Sequence, residues 1–341
     1  MRDLEVNELI NGNAVKIGNW PPGSPEWHAA RAHAIGGSEI SAVVGLNPWT
    51  SHFSLYYNKR DGIGLAEETA IMRWGTNHEP TIYEFFKTTD GTFGDGLQQL
   101  APGCTMTTGD TFRDINRAWM NVNPDGLIWD EQGNCVALLE IKTSARGDGW
   151  GPQGSKQIPI YYLCQVLYYA AVMKVEKMIV AVLISGWDYR TYELEFSAED
   201  AQILIDAGQE FMDNLAAGVE PSLDKHGATY EIVRQMHPEI DMGEGITLEP
   251  DVAARYLAAV KADEAAKAER LYMESQVLQL AGRAQYVYVE RPGEDEFDIQ
   301  VEKVARRQKA GRGNKPPYLR YLGLEEPYPE SIREALDKVA A

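Results

Sequence analysis

Two short strings in this chain carry the residue types that metal-assisted phosphodiester hydrolysis needs. They are Asn-Pro-Asp-Gly at Asn123–Gly126 and Leu-Glu-Ile-Lys-Thr at Leu139–Thr143. Together they supply Asp125, Glu140 and Lys142. Carboxylate oxygens hold a hard divalent ion. Such an ion polarises a phosphate and lowers the pKa of a bound water. A lysine beside them orients or deprotonates that water and neutralises developing charge. The spacing predicts a β-hairpin: a strand at Leu127-Ile128-Trp129, a turn over Asp130–Asn134, and a returning strand over Val136–Lys142. Side chains alternate along a strand, so Glu140 and Lys142 share one face and Ile141 points into the core.

Four further segments fit the same chemistry. Trp74-Gly75-Thr76-Asn77-His78-Glu79 offers a third carboxylate, Glu79, on a helix ahead of the hairpin. It could complete a metal shell or hold a second ion. Tyr161–Val166 puts Gln165 on the helix that follows Lys142, where an amide can bind the water or a ligand carboxylate. Trp27-His28-Ala29-Ala30-Arg31 and Gly36-Gly37-Ser38-Glu39-Ile40 come first in the chain. Arg31 and Ser38 could bind a terminal phosphate, with the glycines admitting backbone and a helix start supplying N–H donors.

Each residue also has an ordinary alternative. Asp-Gly is a common turn. Glu140 and Lys142 suit an exposed strand face, yet Ala137, Leu138, Leu139 and Ile141 around them point to a strand buried on both sides. Glu79 could be solvated, Gln165 a satisfied core amide, Arg31 a surface ion pair and Ser38 a helix N-cap. The tyrosines at 161, 162, 168 and 169 read as core rather than a base-stacking platform. The six histidines show no zinc-binding spacing. What separates the functional alternative is that all these accidents would have to fall in mechanistic order.

The ordered set W-H-x-x-R, G-G-S-E-I, W-G-x-x-x-E, N-P-D-G, L-E-I-K and Y-x-x-Q-V-x-Y-Y-A resembles the YqaJ-type viral recombinases. Phage lambda exonuclease belongs to that family, which lies within the PD-(D/E)xK nuclease superfamily. The resemblance covers roughly residues 24 to 200. It implies a Mg²⁺-dependent, processive 5′→3′ exonuclease acting on double-stranded DNA ends, with Mn²⁺ able to substitute. It makes Asp125, Glu140 and the carbonyl of Ile141 metal ligands. Glu79 falls at the helix carboxylate, Lys142 at the catalytic lysine, Gln165 at the helix glutamine, and Arg31 and Ser38 at the 5′-phosphate site. It also implies a homo-oligomer, often a trimeric ring, and a single-strand annealing protein as partner in phage recombination. Asn123 departs from the family serine, and Pro80 directly after Glu79 departs from a regular helix. Two rivals remain at this point: another PD-(D/E)xK nuclease such as an endonuclease, and a non-catalytic DNA-end-binding module.

The elements that must position these residues are legible in outline. The order of helices and strands predicts an α/β fold, with a central mixed β-sheet flanked by helices and a C-terminal α+β extension. Helices are expected at Pro25–Ala34 (N-cap Ser24), Ser38–Val44, Ser51–Lys59 and Thr69–Lys87, the last interrupted by Pro80. Strands fill Gln98 to Lys142. A helix at Pro159–Met173, strands at Lys177–Ile184 and Asp188–Phe196, and a helix from Ser197 to about Ala217 follow. Residues 1–24 read as an extended lead-in broken at Pro21-Pro22-Gly23-Ser24. We expect a nuclease core over 1–217, a linker over 218–249, and a C-terminal part over 250–341. That part holds a long helix at Pro250–Ala281, a hairpin around Arg291-Pro292-Gly293 with strands Gln285–Glu290 and Phe297–Val304, a basic stretch and a final helix at Ser331–Val339.

Composition bounds the class. With 341 residues, 44% hydrophobic and 24% charged, the chain can bury a large core. It has no apolar run of ~18 residues, so no membrane span is expected. Its N-terminus lacks a signal core, which with the odd cysteine count predicts a reducing, cytoplasmic setting, the host cytoplasm if phage-encoded. Cys104, Cys135 and Cys164 cannot build a four-cysteine iron–sulfur site. The net charge is −19, which disfavours a general nucleic-acid coat. Yet residues 301–320 hold seven Lys/Arg (Lys303, Arg306, Arg307, Lys309, Arg312, Lys315, Arg320) against Glu302 alone. That stretch suits contact with a DNA backbone.

Overall fold

A computed structural model describes residues 5–21, 23–64, 69–292, 299–309, 316–324 and 328–340. The chain divides into two units, Met1–Ile240 and Asp241–Ala341.

The first unit opens with strands β1 (Leu9–Asn11) and β2 (Ala14–Gly18), which replace the extended lead-in expected there. The two strands are three and five residues long, too short for a clear periodic signal. Helix α1 (Pro25–Ala32) begins where Ser24 accepts from Trp27 N at 3.2 Å. A two-residue strand β3 (Ile35–Gly36) leads into α2 (Gly37–Val43). Its N-cap is Gly36, not Ser38, and the Glu39 carboxylate accepts from Gly36 N at 2.7 Å. Helix α3 (His52–Asp61) is capped by Ser51, and α4 (Ala70–Thr88) by Thr69. Helix α4 runs through Pro80 without a break. Along α4, Ile82 and Phe86 are buried while Ile71 and Trp74 are exposed.

A short helix α5 (Leu97–Leu100) stands where strand was expected. Then come β4 (Thr105–Thr108), β5 (Thr111–Asp114), β6 (Met120–Val122), β7 (Gly126–Trp129) and β8 (Cys135–Ser144). The β7–β8 hairpin forms as the turn residues require. Helix α6 (Ile160–Met173) crosses over to β9 (Lys177–Ile184), which lies parallel to β8. Strand β10 (Asp188–Glu195) returns antiparallel, and α7 (Ala198–Ala217) follows with Ser197 as its cap. Helix α8 (Gly227–Met236) lies within the expected linker. It packs on the first unit through buried Ile232 and Thr229, whose hydroxyl lies 2.7 Å from Ser51 Oγ. So residues 218–240 are not a linker in this structure.

The main sheet has the order β10-β9-β8-β7-β4 and is mixed, because β8 and β9 are parallel among antiparallel neighbours. A second sheet is ordered β1-β2-β5-β6-β3. Alternation along β8 divides the core. Leu138 joins the cluster built with α2, α3, α6 and α7, while Leu139 and Ile141 join Ile82, Tyr83 and Phe86 of α4. A strand buried on both faces has no solvent side on which to lose a charged residue, so Glu140 and Lys142 must find partners.

The second unit holds helix α9 (Pro250–Ala281), strands β11 (Tyr286–Pro292), β12 (Ile299–Gln308) and β13 (Tyr318–Tyr321), and helix α10 (Glu330–Ala340). The strands form one antiparallel sheet ordered β11-β12-β13. The third strand lies where only a basic stretch was expected. Gly293, Phe297, Asp298, Arg312 and Lys315 lie outside the described residues. No described helix is long and apolar enough to cross a membrane.

Candidate active site

The hairpin and the crossover helix bring four of the expected residues together. Asp125 stands at the mouth of β7, and its Oδ2 accepts from Ile141 N at 2.6 Å. This bond ties the carboxylate to the next strand between Glu140 and Lys142. Glu140 is buried, 3% exposed. Its Oε1 accepts from Lys142 Nζ at 2.5 Å and from Gln165 Nε2 at 2.6 Å. Its Oε2 is buried and has no hydrogen-bond partner among the described residues. Lys142 Nζ also lies 4.9 Å from the centre of the Tyr162 ring.

The electrostatics follow from burial. Desolvation, then the charge of Glu140, push the Asp125 carboxyl well above the usual carboxylate range. Desolvation also raises Glu140, against the pull of Lys142. Burial alone would lower Lys142, but Glu140 and Asp125 outweigh it and hold the ammonium above its ordinary value. Glu79, at the exposed rim on α4, is raised by desolvation and lowered by Lys142. Its charge also bears on Asp125 and Glu140. Glu140 and Glu79 both raise Asp125, and Glu79 raises Glu140, so the site is short of positive charge.

A hard divalent ion fits this donor set. Glu140 Oε2 is an unpartnered buried acceptor, and such a group costs free energy until something positive meets it. Asp125 and Glu140 supply anionic oxygens, the ligands Mg²⁺ prefers. Among the described residues no three His, Cys, Asp or Glu side chains form a ready-made cage. The fit is therefore to an ion held by two carboxylates and completed by backbone oxygen and water, with Glu79 standing off.

Arg31 and Ser38 meet each other at a second focus. Arg31 Nη2 donates to Ser38 Oγ at 3.3 Å, and the guanidinium lies 4.5 Å from the centre of the Trp27 ring. Arg31 also pairs with Glu39 at 3.1 Å. Arg31, Glu79, Asn123 and Asp125 line one cleft of ≈ 510 Å³ with Trp27. Arg31 and the carboxylates of Glu79 and Asp125 thus open onto the same space, which Ser38 and Glu140 do not line. Asn123 Nδ2 donates to Thr111 Oγ1 at 2.6 Å.

Residues not singled out beforehand hold the two foci together. Lys59 Nζ, on α3, donates to the carbonyls of Arg31 and Ala34 at 2.9 and 2.7 Å and to Glu39. Asn121 Nδ2 donates to Ala30 O at 2.8 Å, pinning the end of α1. Tyr169 accepts from Gln165 Nε2 at 2.8 Å. The same ring sits where a Cβ on Gly37 would come within 2.1 Å of it. Only glycine lets α2 start against α6 at that distance, so the chain Glu140–Gln165–Tyr169–Gly37 couples the carboxylates to the Gly36-Gly37 segment. Tyr168 and Tyr169 are buried, as the core expectation for the tyrosines had it. The sequence signs of Glu39 and Tyr169 were their places in G-G-S-E-I and Y-x-x-Q-V-x-Y-Y-A; Lys59 had no local sign of its role.

Part of the chain is similar to known proteins. Residues 26–176 match the family model described as the YqaJ-like viral recombinase domain. That stretch spans every site residue named above, from Trp27 to Tyr169. An uncharacterised protein, YqaJ, of Bacillus subtilis is 27% identical over 229 residues, 65% of this chain and 66% of that protein. Protein D345L of African swine fever virus is 27% identical over 160 residues, 42% of this chain and 44% of that protein. This chain therefore matches less than two thirds of the length of these curated relatives. Among solved structures, the alkaline exonuclease of Laribacter hongkongensis aligns with a TM-score of 0.42 and 18% identity, over 58% of this chain and 95% of that one. The shutoff and exonuclease protein of the Kaposi's sarcoma herpesvirus aligns with a TM-score of 0.36 and 11% identity, over 58% and 70%.

Proposed function

We propose that this protein is a Mg²⁺-dependent nuclease that degrades double-stranded DNA from its ends in the 5′→3′ direction, within phage-type recombination. Asp125, Glu140 and the carbonyl of Ile141 hold the ion, with Glu79 able to approach. The ion supplies Lewis-acid activation of the scissile phosphate and of water. Lys142 neutralises charge on the phosphate, and Gln165 keeps the Glu140 carboxylate oriented. Arg31 and Ser38 hold the terminal 5′-phosphate. A ring-shaped homo-oligomer, as in the family, would keep the enzyme on its track, and a single-strand annealing protein would take up the product.

The observation that supports this most is the buried, unpartnered Oε2 of Glu140 beside Asp125, with Lys142 and Gln165 bonded to the other oxygen of the same carboxylate. An ordinary structural ion pair would satisfy both oxygens. The shared cleft of Arg31 and Asp125 supports action at an end rather than within a duplex.

The test is linear duplex DNA labelled at either the 5′ or the 3′ end, incubated with Mg²⁺ beside closed circular DNA and a Lys142→Ala control. Early release of the 5′ label from linear DNA only, lost in the control, supports the proposal. Cutting of the circle would make the protein an endonuclease on the same core.

A further inference from the structure

The sheet of the second unit carries one face built from tyrosines and cations. In an antiparallel pair, residues directly opposite each other project on the same side. Tyr286 stands opposite Arg306, and Arg306 opposite Arg320; Tyr288 stands opposite Lys303, and Gln308 opposite Tyr318. One face therefore presents Tyr286, Tyr288, Tyr318, Lys303, Arg306 and Arg320, with Glu290 and Val301 farther along it. Tyr288 and Tyr318 are about half exposed, at 50% and 47%. The Lys303 ammonium lies 4.0 Å from the centre of the Tyr286 ring.

At one end of the same sheet, Arg283, Arg306, Arg307 and Lys309 line a pocket of ≈ 480 Å³ that has no acidic residue in its wall among the described residues. The Nε atoms of Arg306 and Arg307 are buried and have no hydrogen-bond partner among the described residues. A buried guanidinium N–H without an acceptor is costly. An anionic oxygen entering the pocket would relieve it. This concentration of cations is the more telling in a chain whose net charge is −19.

We propose that this face binds single-stranded DNA, with bases stacked on the exposed tyrosines and backbone phosphates on Lys303, Arg306, Arg320 and the pocket arginines. Interleaved aromatic and basic side chains are what a single strand needs, because its bases have free faces and its backbone is charged. A duplex hides its base faces, so the tyrosines would gain nothing from it. The proposal rests on the nuclease reading in one respect: resecting one strand from a duplex end leaves the other single-stranded, and the second unit would hold that product.

The test uses the full chain in EDTA, so that nothing is cut, with a fluorescent thirty-nucleotide oligothymidine and a thirty-base-pair duplex as probes. The expected result for Arg306→Ala/Arg320→Ala is oligothymidine binding at least tenfold weaker, with a flatter salt dependence, roughly 0.7 less in log–log slope per lost phosphate contact. Tyr288→Ala/Tyr318→Ala should weaken oligothymidine binding about tenfold per tyrosine, and Tyr288→Phe/Tyr318→Phe should restore it, while duplex binding changes little. The restored phenylalanine variant also shows that the sheet is intact. Absence of oligothymidine binding by the wild type, or unchanged binding in both alanine variants, overturns the proposal. The same preparations are assayed for Lys142-dependent hydrolysis of linear duplex. No hydrolysis alongside tyrosine-dependent binding defeats the nuclease reading and leaves this proposal standing. Intact hydrolysis with unchanged binding does the reverse.

Discussion

Lys59 Nζ lies 2.9 Å from both carboxylate oxygens of Glu39, and its side chain is only 3% exposed. Glu39 in turn holds Arg31 and the Gly36 N–H. Burial works against the Glu39 charge, yet Arg31 and Lys59 outweigh it and keep the carboxyl below its ordinary value. Breaking a buried pair strands a charge, at a cost of about 3–5 kcal/mol, whereas removing both partners strands none. Lys59→Met alone should therefore lose about that much stability in urea unfolding. Lys59→Met with Glu39→Gln should recover most of it. Simple additivity of the two substitutions would contradict the coupling.

The acidic side of the stability profile follows from the same carboxyl. Because the folded pKa of Glu39 is lowered, its contribution is present above the unfolded value and is lost as pH falls through the folded one. Asp125 has the opposite sign. Its folded pKa is raised, so it costs nothing below the unfolded value near 3.8, and the cost grows as pH rises toward the folded one. In EDTA, Asp125→Asn should melt higher than wild type at pH 8 and equal to it near pH 4. Mg²⁺ should raise the Tm of the wild type and not of the variant. An Asp125→Asn protein that melts lower at pH 8 would show that the site is not short of positive charge.

Gly37→Ala tests the packing between the two foci. Its Cβ would meet the Tyr169 ring at 2.1 Å, so α2 and α6 must part or Tyr169 must turn. Overpacking of this kind costs about 1–3 kcal/mol. Movement of Tyr169 would release Gln165 from its bond. Hydrolysis should fall at least tenfold, a loss on the order of 1.4 kcal/mol in transition-state stabilisation. Tyr169→Phe, which removes only the hydroxyl, should fall less. A Gly37→Ala enzyme with wild-type kcat would disprove the coupling.

The thiols should differ in reactivity. Burial pushes Cys135 up to about 12 and Cys164 up to about 11, so neither offers thiolate at neutral pH. Cys104 is only partly buried. Alkylation of the native protein at pH 8, read by peptide mass spectrometry, should mark Cys104 first. Cys135 and Cys164 should react only with unfolding.

Much of this fold was legible because its signals are local. Ser24, Thr69 and Ser197 announce helix starts through their own hydroxyls, and Asp130–Asn134 announces the hairpin that brings Asp125 to Glu140 and Lys142. What could not be read depends on partners far along the chain. Glu39 displaces Ser38 as the group that caps α2, because its carboxylate returns to Gly36 N while Lys59 braces it. Helix α8 forms in a Gly- and Pro-flanked stretch because Ile232 and Thr229 find a surface on the first unit. Pro80 reads as an interruption, yet α4 continues through it with Ile82, Tyr83 and Phe86 anchored on the sheet. Strand β13 hides in a basic stretch because its register with β12, not an apolar pattern, defines it.

The central claim is that Asp125, Glu140 and Lys142 form one hydrolytic site at a DNA end. The most direct measurement is release of 5′ against 3′ label from linear duplex DNA in Mg²⁺, by wild type and by Lys142→Ala. The expected result is early release of the 5′ label by wild type, loss of at least a hundredfold in the variant, and no cutting of closed circles. Label release that is indifferent to Lys142, or none at all by the folded wild type with Mg²⁺ or Mn²⁺, would contradict it.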